Sequence, residues 1–330
     1  MHEAKNSKIC NFWTFRPVID YTEALGQLTP SLAVHFFNTL IAPLLDYGSE
    51  VWYSESIAEK LEVFQKKYFK RNLSVRVNTP DEAVFGELGV LPLSIRLQKN
   101  LLKYLHRLNT LPTTSPVKWA YLELMSLHNL GFDTWYGRAL KVMTEFESDA
   151  GFSEGGFLKL KSSQVKKTLN RTCFVLYEDK WLDNINDSEV CKKLRKYKLF
   201  KTDLKFEKYL KIPSKPIRVA ISRFRMSSHY LAIELGRHHK PFIPAEKRLC
   251  KNCNVVGDEM HHLLECLLTE PLREPLLDSA SKHVRNFRSL AKASQFCKMM
   301  TCDERDFLMS LGHFLIEADK LLKDTSGHTP

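Results

Sequence analysis

Apolar residues recur every three to four positions along most of this 330-residue chain, and that spacing commits it to helices. In "SLAVHFFNTLIAPLL" the stripe is Leu32, Phe36, Leu40 and Leu44, with Ser31 placed as N-cap. "ESIAEKLEVFQKKYFKRNL" repeats it with Ile57, Leu61, Phe64 and Tyr68. In "TPDEAVFGELG", Thr79 reads as an N-cap with Pro80 at the first helical position, Glu82 completing a capping box and Gly89 ending the helix. "PLSIRLQKNLLKYLHRL" carries Leu97, Leu101, Tyr104, Leu105 and Leu108. Strand-like alternation is scarce, so the expected fold class is mainly α, a multi-helical body.

Turn-rich breaks fall at 109–117, 147–156, 211–216 and 237–247. They divide the chain into a tail 1–30, helical regions 31–112 and 113–240, a small subdomain 241–275, and C-terminal helices 276–330. The last residues, "KDTSGHTP", read as disordered. The N-terminal "MHEAKNSKICNFWTF" lacks the apolar stretch of a signal peptide. The longest apolar region, Leu32 to Leu45, is too short to span a bilayer and is interrupted by His35, Asn38 and Pro43. The expectation is an intracellular protein, nuclear or cytoplasmic, with no membrane partner and with reduced thiols.

The positive charge is localised. Between Lys192 and Arg225 stand thirteen Lys or Arg against Asp203 and Glu207, an excess equal to the +11 of the whole chain. Lys192, Lys193, Arg195, Lys196, Lys198, Lys201, Arg218, Arg223 and Arg225 are the candidate phosphate contacts in this segment. Tyr197, Phe200, Phe206, Tyr209 and Phe224 are interleaved. One reading has them stacking on unpaired bases; the other turns them into the core beneath a solvated cationic face.

Residues 248–266, "RLCKNCNVVGDEMHHLLEC", hold three of the eight cysteines and two adjacent histidines. The pattern Cys250-x2-Cys253-x7-His261-x4-Cys266 supplies four soft donors, a closed tetrahedral set suited to a structural Zn²⁺. Asp258 is placed to cap the helix that presents the second pair. Helix geometry pairs residues four apart, which favours His262 with Cys266, whereas zinc modules tolerate three to five residues between ligands. Geometry leaves the choice open. Lys247, Arg248 and Lys251 flank the first two thiolates as further candidate nucleic-acid contacts. The other cysteines (Cys10, Cys173, Cys191, Cys297, Cys302) are scattered and read as small buried hydrophobes.

"LIAPLLDYGSEVW" (40–52) and "AVFGELGVLPLSIR" (83–96) resemble the segment just downstream of the polymerase core in LINE-type, jockey-like non-LTR retrotransposon reverse transcriptases. "RFRMSSHYLAIELGRH" (223–238), followed by the cysteine motif, resembles the C-terminal region of the same proteins. The resemblance covers roughly residues 20–275. It implies that 31–112 is thumb-like and 241–275 a CCHC zinc knuckle. It makes Cys250, Cys253, His261 and Cys266 the ligands, because His262 falls where the family usually has an aromatic. It also implies an RNA or single-stranded DNA partner and association with a polymerase-bearing protein of the element.

The chain departs from the family at the chemistry. No Asp-Asp pair occurs, so nothing matches the metal-binding aspartates of a polymerase. There is no Gly-rich phosphate loop, no GxSxG, and no legible nucleophile–base set; His238 and His239 sit in the basic linker. Tyr47, Gly48, Glu50 and Trp52 read as a helix stop with packed aromatics. The expectation is a fragment beginning beyond the polymerase palm that binds nucleic acid and catalyses nothing. The alternatives are a zinc-stapled protein–protein interaction module, with apolar grooves on the helices at 54–73 and 92–108, or a relic reading frame.

Overall fold

The computed structural model describes residues 28–326, apart from 188, 190 and 238. The expectations for the N-terminal tail before residue 28, for Cys10, for His238 and for residues 327–330 lie outside the described residues. Among those described the backbone is helical, and β pairing is confined to two isolated bridges, Leu88–Phe206 and Leu249–Val256. The expectation of a mainly α chain is met.

The first helical stretch comprises α1 (Pro30–Phe36), a π turn (Phe37–Ile41), α2 (Ala42–Leu45) and α3 (Ser49–Trp52). Its buried stripe is Ala33, Phe37, Ile41 and Leu45, one position on from the expected one; Leu32, Leu40 and Leu44 are exposed. The run is apolar on nearly every side, so a spacing of four fits two stripes equally. Thr29, not Ser31, supplies the cap, its hydroxyl accepting from the Leu32 N–H at 3.4 Å. Gly48 does turn the chain with φ +65°, but Tyr47 is exposed rather than packed.

Next come α4 (Glu55–Asn72), α5 (Asp81–Leu88), α6 (Leu93–Thr110), α7 (Pro116–Asn129), α8 (Trp135–Ala150) and α9 (Ser162–Asn186). On α6, Leu97, Leu101, Leu105 and Leu108 are buried as the periodicity requires. Gln65 closes the α6 N-terminus: its Oε1 accepts from the Leu93 N–H at 2.7 Å while its amide donates to Leu91 O. The capping box expected at Thr79 does not form. Pro80 occupies the cap position of α5, and the buried Thr79 hydroxyl has no hydrogen-bond partner. The stop at Gly89 does form, at φ +59°. There a Cβ would stand 2.5 Å from Phe206 N, so both conformation and space call for glycine.

The remaining helices are α10 (Lys215–Arg225), α11 (Ala232–Leu235), α12 (Glu259–Leu264), α13 (Glu270–His283), α14 (Lys292–Thr301) and α15 (Arg305–Ser326). α15 packs against α10 and α13, and α12 against α14. Ile217, Ile221, Phe224, Phe307, Leu311 and Phe314 fill the core of this part.

Two compact units result, and neither is a continuous stretch of chain. One is built from residues 36–67 and 80–206; the other from the described residues among 1–35, with 68–79 and 207–326. The divisions expected near 112 and 240 do not coincide with this partition. Among the described residues no helix is long and apolar enough to cross a membrane.

Candidate metal centre

The cysteine motif folds as a tight turn followed by a capped helix. Leu249 pairs with Val256, the Cys250 N–H donates to Val255 O at 2.7 Å, and the Asn254 N–H to Cys250 O at 2.9 Å. Asn254 takes φ +54°, a left-handed position that asparagine tolerates well. Gly257 lies where a Cβ would come within 2.9 Å of the Ala232 Cβ and 3.1 Å of Cys250 N, so the turn seats directly on α11. Asp258 then caps α12, its side chain accepting from the His261 N–H at 2.9 Å, as the sequence predicts.

The end of α12 brings the second pair of donor residues, His261 and Cys266, together. The helix stops at Leu264 and Glu265 turns out at φ −137°. The N–H groups of Glu265 and Cys266 both donate to His261 O, at 2.9 and 2.8 Å. That widened closure returns Cys266 to the face of His261, which a regular helix would not do over five residues.

The donor atoms of Cys250, Cys253, His261 and Cys266 all lie within 4.8 Å of one another. Cys266 Sγ is 3.8 Å from Cys250 Sγ and 3.9 Å from Cys253 Sγ, and none of the thiols is cross-linked. His261 is buried, and neither ring nitrogen has a hydrogen-bond partner. A buried imidazole without partners is costly, and a metal on one nitrogen removes that cost. Burial holds the His261 pKa below its usual value, favouring the neutral, ligating form. Burial also pushes the Cys266 thiol up to about 12, with the neighbouring sulfurs adding to the effect. A cation among the thiols inverts that electrostatics. The Leu267 N–H points at Cys253 Sγ at 3.3 Å, the kind of outer contact that orients a thiolate ligand. These four residues could hold a metal ion and already fill a four-coordinate shell, which suits a structural rather than a catalytic role.

His262 faces away. It is buried beside Phe224 and Phe314, ring centroids 6.4 and 6.2 Å distant, and burial pushes its pKa down to about 3. We predict that His261→Ala lowers metal affinity by at least about 100-fold, the loss expected for one of four ligands. His262→Ala should leave affinity within a few-fold and instead cost about 1–3 kcal/mol of stability through lost packing. Competitive metal titration of the two variants checks this; a reversed order would mean that His262 coordinates.

The candidate nucleic-acid contacts differ widely in exposure. The basic segment is divided between the units after residue 206. Lys192 is exposed beside Glu189 at 3.1 Å, while Lys193, Arg195, Lys196 and Lys198 are half-buried. Four candidates are corrected outright, because they are buried and serve the interior. Lys201 donates to Lys205 O, and Arg218 to the carbonyls of Ile212 and Pro213. Arg225 donates to Met300 O and pairs with Glu207 at 3.0 Å, and Arg248 donates to the carbonyls of Ile233 and Ile243. The stacking expectation is corrected in the same way: Tyr197, Phe200, Tyr209 and Phe224 are core residues and Phe206 is half-buried. Lys247 is exposed.

Two of the remaining candidates, Arg223 and Lys251, do meet. Both line a cleft of about 460 Å³ beside the thiols, with Leu231, Leu235 and Leu322 among its apolar walls. Tyr230, which sequence reasoning passed over, lines the same cleft. It is 52% exposed, with the Arg76 guanidinium 3.8 Å over its ring. Glu259 was also missed. Burial opposes its ionisation, but hydrogen bonds with His229 and Ser227, each at 2.9 Å, hold its carboxyl down at about 2. No local signal marked it, because Ser227 and His229 lie 32 and 30 positions away in sequence. Comparison with protein-family models, curated proteins and solved structures returns no match to this chain.

Proposed function

We propose that this chain is a zinc-stapled helical protein that binds single-stranded RNA or DNA and catalyses nothing, and that it derives from the C-terminal region of a LINE-type reverse transcriptase. The observation that carries the reading is the cleft beside the thiols. It offers an apolar floor, an exposed tyrosine ring, and Arg223 and Lys251 on its walls. Bases can stack on such a ring while cations hold the phosphates.

Zinc is the metal that suits three thiolates and an imidazole. Tetrahedral Zn–S bonds of about 2.3 Å put sulfurs about 3.8 Å apart, close to the 3.8 and 3.9 Å separations here. The two C-terminal stretches that carry the family resemblance also depend on each other. The Ile233 N–H donates to Gly257 O, Arg248 to Ile233 O, and Ser227 to Glu259. That mutual dependence is a physical reason for "LAIELGR" to accompany the cysteine motif.

An electrophoretic shift with single-stranded RNA tests the reading. About four to six phosphate contacts give a log–log salt slope near −3 to −4, so affinity should fall roughly 100-fold between 50 and 200 mM salt. Tyr230→Ala should weaken binding by about 1–3 kcal/mol without changing the slope. Absence of binding at 50 mM salt would reject the proposal. The alternative, a protein-docking module, draws on one observation: Leu40, Leu44, Tyr47 and Val51 are each more than half exposed within twelve residues.

A further inference from the structure

Helix α6 carries Arg96, Lys99, Lys103 and Arg107 and no acidic residue. Its apolar stripe is buried, and Lys99, Lys103 and Arg107 follow one another at four-residue intervals on another side. Helix α9 runs from Ser162 to Tyr177 without an acid and presents Lys166, Lys167 and Arg171. The two rows adjoin, because Lys99 Nζ donates to Asn170 Oδ1 of α9 at 3.2 Å. Lys166, Lys167, Asn170 and Arg171 line an open concavity with Ser163 and Phe174. Among the described residues, two carboxylates act on this face: Asp46, which is engaged by Arg96, and Glu50, which acts on Lys103.

We propose that this face of α6 and α9 is a second phosphate-binding surface, where the backbone of a nucleic-acid strand lies across the two rows. The ligand class rests on the function proposed above; the surface itself belongs to the other unit and shares no residue with the cleft. Burial lowers the pKa of both Lys99 and Lys103, and neighbouring cations lower it further: Lys103 and Arg96 for Lys99, Lys166 and Arg96 for Lys103. Asp46 and Glu50 offset part of this at Lys103, but seven cations stand against these two carboxylates, and the excess favours an external anion. A row with one cation per about 6 Å of helix suits a polymer with regularly repeating phosphates. A membrane surface fits less well, because the leucines of α6 are buried and unavailable to insert into lipid.

The test uses the full chain, zinc-loaded, with fluorescence anisotropy of a labelled single-stranded RNA across 50–200 mM salt. The triple variant Lys99→Gln, Lys103→Gln, Lys166→Gln should bind about 10- to 100-fold more weakly at 50 mM, with the slope shallower by about 2. A second set, Lys166→Gln, Lys167→Gln, Arg171→Gln, alters exposed side chains only and should behave alike, which controls for misfolding. If wild-type protein binds and both sets keep its affinity and slope, this surface is rejected while the cleft reading stands. If wild-type protein fails to bind at 50 mM salt, both are rejected. Stronger binding to phosphatidylserine vesicles or to polyglutamate than to RNA would overturn the assignment in favour of a membrane or an acidic protein.

Discussion

Cys253→Ser is expected to release a metal held at this site and unfold residues 248–268, α12 included, while leaving the other helices of both units in place. Structural zinc contributes about 10–16 kcal/mol of apparent binding energy, so one ligand in four accounts for roughly 3–4 kcal/mol, or 100- to 1,000-fold in affinity. The consequence for folding is local because the rest of this unit has a core of its own, with Ile217, Ile221, Phe307 and Leu311 buried outside the segment. The 249–256 turn has a single bridge and short backbone bonds, and the His261 ring nitrogens have no hydrogen-bond partner. The Gly257–Ile233 bond, the Arg248 guanidinium and the Glu259 carboxylate tie it to the body, as do the buried side chains of His262, Leu263 and Leu264. Hydrogen exchange should show lost protection in 248–268 and unchanged protection in α6 and α15. A full metal complement in the variant would remove Cys253 from the ligand set.

Arg225→Ala is expected to destabilise its unit by about 3–5 kcal/mol, the cost of breaking a buried ion pair. Its guanidinium joins Glu207 at 3.0 Å, donates to Met300 O and lies 5.3 Å over the Tyr209 ring. Truncation leaves a mostly buried carboxylate without its cation and a carbonyl without its donor. Lys192→Ala, on an exposed side chain, should change stability by no more than about 0.5 kcal/mol. Urea unfolding of the two variants separates them. A shift of less than 0.5 kcal/mol for Arg225→Ala would mean that this side chain is not structural.

Helix content was legible because α6 and α4 bear one apolar stripe each on an otherwise polar surface. Along 32–45 the helix was legible but its buried face was not, since apolar residues surround it and a π turn at Phe37–Ile41 changes its phase. The Cys3His group that could hold a metal ion was legible because its spacing is local. The choice between the two histidines depends on where α12 ends, and helix geometry alone pointed to His262. The departure at Glu265 is what selects His261. Charge was visible in 192–225, but burial was not: Arg225 is spent on Met300, 75 positions away in sequence. A sliding count of charge also missed the α6 and α9 cations, because they come together only through the pairing of two distant helices.

Binding of single-stranded RNA at 50 mM salt by zinc-loaded and chelated protein tests the central claim most directly. The Cys250, His261 and Cys266 side chains both close the metal site and line the cleft that holds Tyr230 and Arg223. Removing the metal should therefore collapse the cleft and weaken binding, and returning zinc should restore it. The α6 and α9 face leaves a residual, salt-sensitive affinity in the chelated protein. Equal affinity before and after chelation, with metal loss verified by elemental analysis, would contradict the account.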